Sequence, residues 1–252
     1  MEISRVSQYR VGLDSNIQLN NLNRKVYFGN ENIKDTFQTT SPAKLYNENL
    51  IKNQINQNSE IKRILSENHI SGKLNMTELY DLMNNHCLDT QNTVSAIVAN
   101  LPQALRQKVN IKNLKDAAML HDFGKVLIPA EILNKTGSLT PEEHRIMDLH
   151  SELGYQLLKN TGVNNEVLNL VRNHHNTSGS NYIPDINLQI LNLADKYSAL
   201  TEKRVYKEAY SPKKALTVIY ADVKRGDVHP FIFNALVKAV NNNEVPQNVN
   251  KC

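Results

Sequence analysis

Seven side chains able to give an electron pair to a metal ion are spread through the middle and C-terminal part of this chain: His86, His121, Asp122, His150, His174, His175 and Asp195. Imidazole nitrogen and carboxylate oxygen suit first-row metals such as iron, manganese or zinc, and such donors also accommodate magnesium and nickel. A set this large exceeds what one four- to six-coordinate ion takes from protein. Two divalent ions are therefore implied, with one carboxylate able to bridge them. Paired ions about 3.5–4 Å apart act as clamps in phosphoryl displacement, activating a water as nucleophile and taking up charge that grows on the phosphate. The chemistry expected is hydrolysis of a phosphoester. A lone histidine on an apolar helix face is more often a packed core residue with a hydrogen-bond partner, so what matters is whether the seven meet in space.

Three cations stand near these donors in sequence. Lys125 lies three residues past Asp122, where it can approach a phosphate or assist the leaving oxygen; a lysine there also complements the dipole of a helix end. Arg204 and Lys207 follow Asp195 at spacings that could return them to the same mouth, where a guanidinium fork recognises phosphate oxygens in pairs. His69, His144 and His229 fall outside the pattern and are expected at the surface.

The elements that must position these residues read as helices throughout. Leu79, Leu82, Met83 and His86, continued by Val94, Ile97 and Val98 to a stop near Pro102, predict one long or kinked helix that carries a histidine. Leu114 to Leu120 predicts a second helix ending at His121-Asp122, with Gly124 as its exit. Thr140-Pro141-Glu142-Glu143 reads as a capping box opening a helix whose apolar stripe includes His150. Asn164 to His175 and Leu188 to Leu200 predict two more, Ser211-Pro212 opens another, and a last runs from about Pro230 to Val240. No segment alternates with period two. The expected fold is all-α, a compact helical bundle that aims the donors inward.

Residues 1–75 are rich in Asn, Gln, Ser and Lys and read as a largely irregular leader, poorly ordered or loosely docked, with a helix predicted near 48–67 from Leu50, Ile51, Ile55, Ile61, Ile64 and Leu65. Residues 76–241 then form the bundle and 242–252 a C-terminal tail. With 252 residues and only Cys87 and Cys252, the chain needs no disulfide staple and lacks a thiolate zinc site, which points to a reducing, cytoplasmic setting. No apolar run has the length of a signal peptide or membrane span. The net charge of +4 is scattered among acids without a basic run, which by itself leaves a small phosphorylated ligand as plausible as nucleic acid; with the donor set beside it, a small phosphorylated nucleotide is expected as partner and a stable nucleic-acid partner is not. Nothing in the sequence argues against a homodimer.

The residues also carry a resemblance. Ala117-Ala118-Met119-Leu120-His121-Asp122-Phe123-Gly124-Lys125-Val126-Leu127-Ile128-Pro129, with Ile132-Leu133-Asn134-Lys135 and Leu139-Thr140 after it, is similar to the HD-GYP branch of the HD-domain phosphohydrolases. His150-Ser151-Glu152-Leu153-Gly154, His174-His175, Leu193-Ala194-Asp195-Lys196-Tyr197-Ser198-Ala199-Leu200-Thr201, Arg204-Val205-Tyr206-Lys207 and Ser211-Pro212 continue it in order. The resemblance implies a bundle of the HD-domain type around a di-iron or di-manganese centre: Asp122 bridging, His86, His121 and Asp195 on one metal, His150, His174 and His175 on the other. It implies that Lys125, Arg204 and Lys207 touch substrate phosphate. Relatives with a third metal place a glutamate where this chain has Leu82, so two metals are expected.

After the double histidine the branch carries a glutamate and then a Gly-x-Gly-Tyr-Pro loop that holds a guanine nucleotide. Here Asn176 replaces the glutamate, and Gly179, Tyr182 and Pro184 keep the loop residues at altered spacing. Asn181 can still adopt the left-handed backbone the second glycine would supply, which leaves Tyr182 as a substrate contact. The expected activity is a cyclic di-GMP phosphodiesterase-like hydrolysis of a phosphodiester by a metal-activated water. The alternatives are a nucleotide or nucleoside phosphohydrolase of another HD branch and a non-catalytic HD signalling module.

Overall fold

Apolar residues recurring three and four apart leave the chain one economical choice, and helix is the only regular structure among the described residues of the computed structural model, which are 42–176, 185–203 and 208–246. Every described residue belongs to one compact unit. After a single turn at Pro42–Leu45 come α1 (Glu48–Gln57), α2 (Ser59–Glu67) and α3 (Met76–Leu82). A π-helical turn, Met83–Cys87, joins α3 to α4 (Leu88–Asn100), and α5 (Ile111–Leu120) follows a short turn at Gln103–Arg106. A 3-10 turn at Phe123–Leu127 and a helical turn at Ala130–Leu133 lead into α6 (Pro141–Leu158) and α7 (Asn165–Asn173). The chain closes with α8 (Ile186–Thr201), α9 (Pro212–Arg225) and α10 (Pro230–Asn241).

At the centre stands α4, packed against α5, α8 and α10, while α7 leans on both α5 and α6. Val94 and Ile97 of α4 meet a continuous core with Leu114, Ala117 and Leu120 of α5, Leu153 and Leu157 of α6, and Ile190, Leu193 and Tyr197 of α8, all essentially buried. The predicted long helix to Pro102 is thus α3 and α4 interrupted by the π turn. Such a turn holds an extra residue, so it rotates the side chains on either side relative to each other and commonly marks a functional position. His86 lies in that turn.

Helix starts follow the predicted chemistry. Thr140 and Glu143 form a reciprocal capping box at α6, with Pro141 in the first turn, and Ser211 caps α9 by accepting from the Lys214 N–H. Asparagine does much of the remaining capping: Asn47, Asn58, Asn110 and Asn164 each accept a backbone N–H in the first turn of a helix. The helix predicted near 48–67 is two helices, because Asn58 takes an extended backbone and caps α2 through the N–H groups of Glu60 and Ile61. Its amide also donates to the backbone oxygen of Gln156 at 3.1 Å and to its side chain at 3.2 Å, tying the break to α6. Leu45, Ile51, Ile61 and Ile64 are buried in the same core as the bundle.

The stretch before α3 also grips the turn after α5. Asn75 donates its backbone N–H to Val126 O at 2.9 Å and its side-chain amide to Ile128 O. Tyr46 donates its hydroxyl to Met119 O and sets its ring edge-on to Phe123, with centroids 5.2 Å apart. No helix among the described residues is long and apolar enough to cross a membrane.

Asn58→Ala removes a cap and leaves the Gln156 groups without their buried donor, so it is expected to cost about 1–3 kcal/mol. Urea unfolding followed by circular dichroism checks this, and a midpoint unchanged from wild type contradicts the tie between α2 and α6.

Candidate metal centre

All seven donors named from the sequence come together at one end of the bundle. His86 arrives from the π turn, His121 and Asp122 from the C-terminal end of α5, His150 from the middle of α6, His174 and His175 from the C-terminal end of α7, and Asp195 from the middle of α8. They fall into two groups, each with donor atoms within 4.8 Å of one another: His86, His121 and Asp122 in one, His150, His174 and His175 in the other. Asp122 stands between them. Its Oδ2 lies 3.7 Å from His86 Nε2 and 3.5 Å from His121 Nε2, while its Oδ1 lies 3.4 Å from His150 Nε2. Asp195 Oδ1 completes the first group at 2.9 Å from His86 Nε2 and 3.6 Å from His121 Nε2.

The buried rings are oriented by the helices that carry them. His121, His150 and His174 each donate Nδ1–H to the carbonyl three residues earlier, those of Ala118, Met147 and Val171, at 2.9, 2.6 and 2.7 Å. A carbonyl can only accept, so Nδ1 is the protonated nitrogen and Nε2 presents a lone pair to the centre. His150 Nε2 then faces His174 Nε2 and His175 Nε2, each at 3.1 Å. The His150 and His174 lone pairs, this close, repel unless a cation lies between them. His121 Nε2 is likewise buried with no hydrogen-bond partner. Convergent unsatisfied nitrogens beside an ionised carboxylate are the donor environment of a divalent cation.

Titration follows the same geometry. Burial pushes the Asp122 carboxyl up, yet Lys125, with His121 next, holds it well below the ordinary carboxylate range. Burial, with Lys125 and His175 adding to it, draws His150 down to about 3, and burial with the neighbouring imidazoles takes His174 well below the usual histidine value, so both rings stay neutral. For His86 burial acts downward too, but Asp195 and Glu202 on its ring nitrogens lift it to about 9. Asp195 is pushed up by burial and brought well below its ordinary range by the His121 and His86 rings beside it.

Gly124 has a different task from the one its position suggests. It is not a left-handed helix exit, since α5 simply tightens into the 3-10 turn and Gly124 does not have a positive φ. Instead a Cβ at Gly124 would overlap the carbonyl oxygen of His150 and stand 2.5 Å from the nitrogen of Gly154. Glycine here lets the turn after α5 lie directly on the backbone of α6, which brings Asp122 up to His150. Lys125, in the same turn, sets its ammonium 2.7 Å from Asp122 Oδ2.

His175, Lys125 and Asp195 are the members of the site that reach solvent, whereas His86, His121, Asp122, His150 and His174 are buried. Arg204, Lys207 and Tyr182, expected to contact substrate, lie outside the described residues, as do residues 177–184 of the loop after the double histidine. His69 and His144 are exposed as expected; His229 is half-buried and caps α10 through the Phe231 N–H. Sequence reading missed Glu202, whose Oε2 lies 3.5 Å from His86 Nδ1. Its only signal was its place seven residues past Asp195.

Comparison with known proteins places the site in context. The HD domain family matches residues 75–228. A cyclic di-GMP phosphodiesterase response regulator of Xanthomonas campestris is 34% identical over 145 residues, 53% of this chain and 38% of that protein. A cyclic di-GMP phosphodiesterase of Vibrio cholerae is 36% identical over 155 residues, 53% of this chain and 31% of its own length. The 3'3'-cGAMP-specific phosphodiesterase 1 of Vibrio cholerae is 28% identical over 154 residues, 56% of this chain and 36% of its own. The chain thus spans well under half the length of these curated relatives.

Two outcomes test the site's construction. Gly124→Ala is expected to destabilise the protein by about 1–3 kcal/mol through overpacking and to lower its metal content by elemental analysis; wild-type metal content contradicts the need for close approach. In chelator-treated protein, stability is expected to peak near the unfolded histidine pKa of about 6.5. It falls toward acid because His150 and His174 resist protonation only when folded, and toward alkali as the protonated His86 is lost through about 9. A melting temperature that climbs steadily from neutral pH to pH 4 contradicts the neutral pair.

Proposed function

The chain belongs to the HD domain family, and from that premise we propose that it is a metal-dependent phosphodiesterase whose substrate is a cyclic dinucleotide. The single observation that carries this reading is the sharing of Asp122 between two groups of imidazoles, one at each of its oxygens. We assign His86, His121 and Asp195 to one divalent ion and His150, His174 and His175 to the other, with Asp122 bridging. Iron or manganese suits this nitrogen-and-oxygen set. When bound, the ions supply Lewis acidity that activates water and neutralises phosphate charge.

The chain's own residues do the rest. His121, His150 and His174, locked by their backbone carbonyls, hold their lone pairs in fixed directions without reorganisation during the reaction. Water adds to phosphorus as the ester oxygen departs in line. Lys125, mostly buried but reaching solvent beside Asp122, is placed to hydrogen-bond a phosphate oxygen or the leaving oxygen. Arg204, Lys207 and Tyr182 are assigned to the substrate through the resemblance. The cyclic dinucleotide class is supported by the relatives, whose names specify cyclic di-GMP or 3'3'-cGAMP. Residues 76–241 form the catalytic unit in this reading. The free thiol of Cys87 suits a reducing cytoplasm.

Incubating purified protein with cyclic di-GMP or 3'3'-cGAMP and Mn²⁺ or Fe²⁺ is expected to yield a linear dinucleotide or mononucleotides, with two ions bound per chain. Asp122→Ala is expected to lower turnover by more than about 100-fold, beyond the loss of partners that merely orient a ligand. Cleavage of nucleoside monophosphates or triphosphates alone overturns the substrate, and a metal-free, inactive protein overturns the hydrolase.

A further inference from the structure

His86 differs from the other buried histidines of the centre in what holds its ring. His121, His150 and His174 use the carbonyl three residues earlier. His86 lies in the π turn, and its buried Nδ1 makes no hydrogen bond of ordinary geometry. Facing that nitrogen at 3.5 Å is Oε2 of Glu202, whose side chain is only 20% exposed. Glu202 is the first residue past α8; its backbone is extended, and its N–H remains tied to Ser198 O at 2.9 Å. The same helix delivers Asp195 to the other ring nitrogen at 2.9 Å. Both nitrogens of one imidazole therefore face carboxylates supplied by a single helix and its exit.

From this geometry we propose that Glu202 is the positioning residue for His86: its carboxylate accepts the Nδ1–H and leaves the Nε2 lone pair for the cation, standing in for the backbone carbonyl used by the other three rings. The proposal rests on the assignment of His86 as a ligand. A carboxylate does more than a carbonyl, since its charge raises the basicity of the coordinating nitrogen as well as fixing the ring, and loss of such a partner weakens metal binding about 10–100-fold. It also makes one element responsible for the first ion. A shift of α8 moves Asp195 and the orientation of His86 together.

The test uses full-length wild type, Glu202→Ala and Glu202→Gln, stripped by chelator and titrated with Mn²⁺ while free Mn²⁺ is read by electron paramagnetic resonance. Glu202→Ala is expected to weaken one Mn²⁺ site about 10–100-fold with the number of bound ions unchanged, and Glu202→Gln, whose amide oxygen still accepts, to recover most of the affinity. Zn²⁺-loaded, ¹⁵N-labelled protein gives a second readout: a downfield His86 Nδ1–H resonance in wild type that moves upfield in Glu202→Gln, where the acceptor loses its charge. An unmoved resonance, wild-type Mn²⁺ affinity in Glu202→Ala, or loss of a whole bound ion in either variant overturns the positioning role. If wild type itself takes up no Mn²⁺, the ligand assignment fails and the proposal with it, whereas wild-type binding left intact by Glu202→Ala sinks the proposal alone.

Discussion

A buried carboxylate that keeps its charge must be compensated by neighbouring charge or hydrogen bonds, and Asp122, 2% exposed, is such a group. Among the described residues Oδ2 is met by the Lys125 ammonium at 2.7 Å and by the His86 ring, itself lifted to about 9, at 3.7 Å. On Oδ1 it is met by neutral His150, whose lone pair already confronts that of His174. On the Oδ1 side, charge and lone pairs thus point into one space without a proton from His150 or His174 to balance them. Much of the architecture serves to keep that imbalance in place until cations relieve it.

Helix ends contribute to the same field. His121-Asp122 and His174-His175 sit at the C-terminal ends of α5 and α7, where unpaired carbonyls leave partial negative charge that favours cations. The cost of assembling such a region is met by apolar packing away from it. Leu114, Ala117 and Leu120 bury one face of α5, and Val167, Leu168 and Val171 bury that of α7, so the donor-bearing ends are held by cores behind them. Gly124 and Gly154 then permit the backbone approach that sets Asp122 beside His150, a spacing side chains alone could not reach.

The segment before α3 belongs to this scaffold as well. Tyr46 holds Met119 at the end of α5, and Asn75 holds Val126 within the 3-10 turn and Ile128 just beyond it, so the turn bearing Asp122 and Lys125 is gripped on both sides. Its asparagine-rich composition resembles that of an irregular chain because asparagine competes with regular backbone structure. In Asn47 and Asn58 that same competition is used to begin helices. Composition averages over positions, and a cap is a property of one position.

What the chain by itself determined was the list of donors and the helices that carry them. Periodicity found each helix bearing His86, His121, His150, His174 and Asp195, because burial on one face imposes a 3.6-residue repeat that needs no tertiary knowledge. Local signals also set the starts of α6 and α9, since a capping residue bonds only within its first turn. Only the tertiary structure decided which oxygen of Asp122 faces which ring, that Gly124 serves close approach to α6 and not helix exit, and that Glu202 faces His86. Those relations join residues from different elements across long stretches of chain. They depend on how packed helices rotate and how closely their backbones approach, quantities that no local pattern of residues encodes.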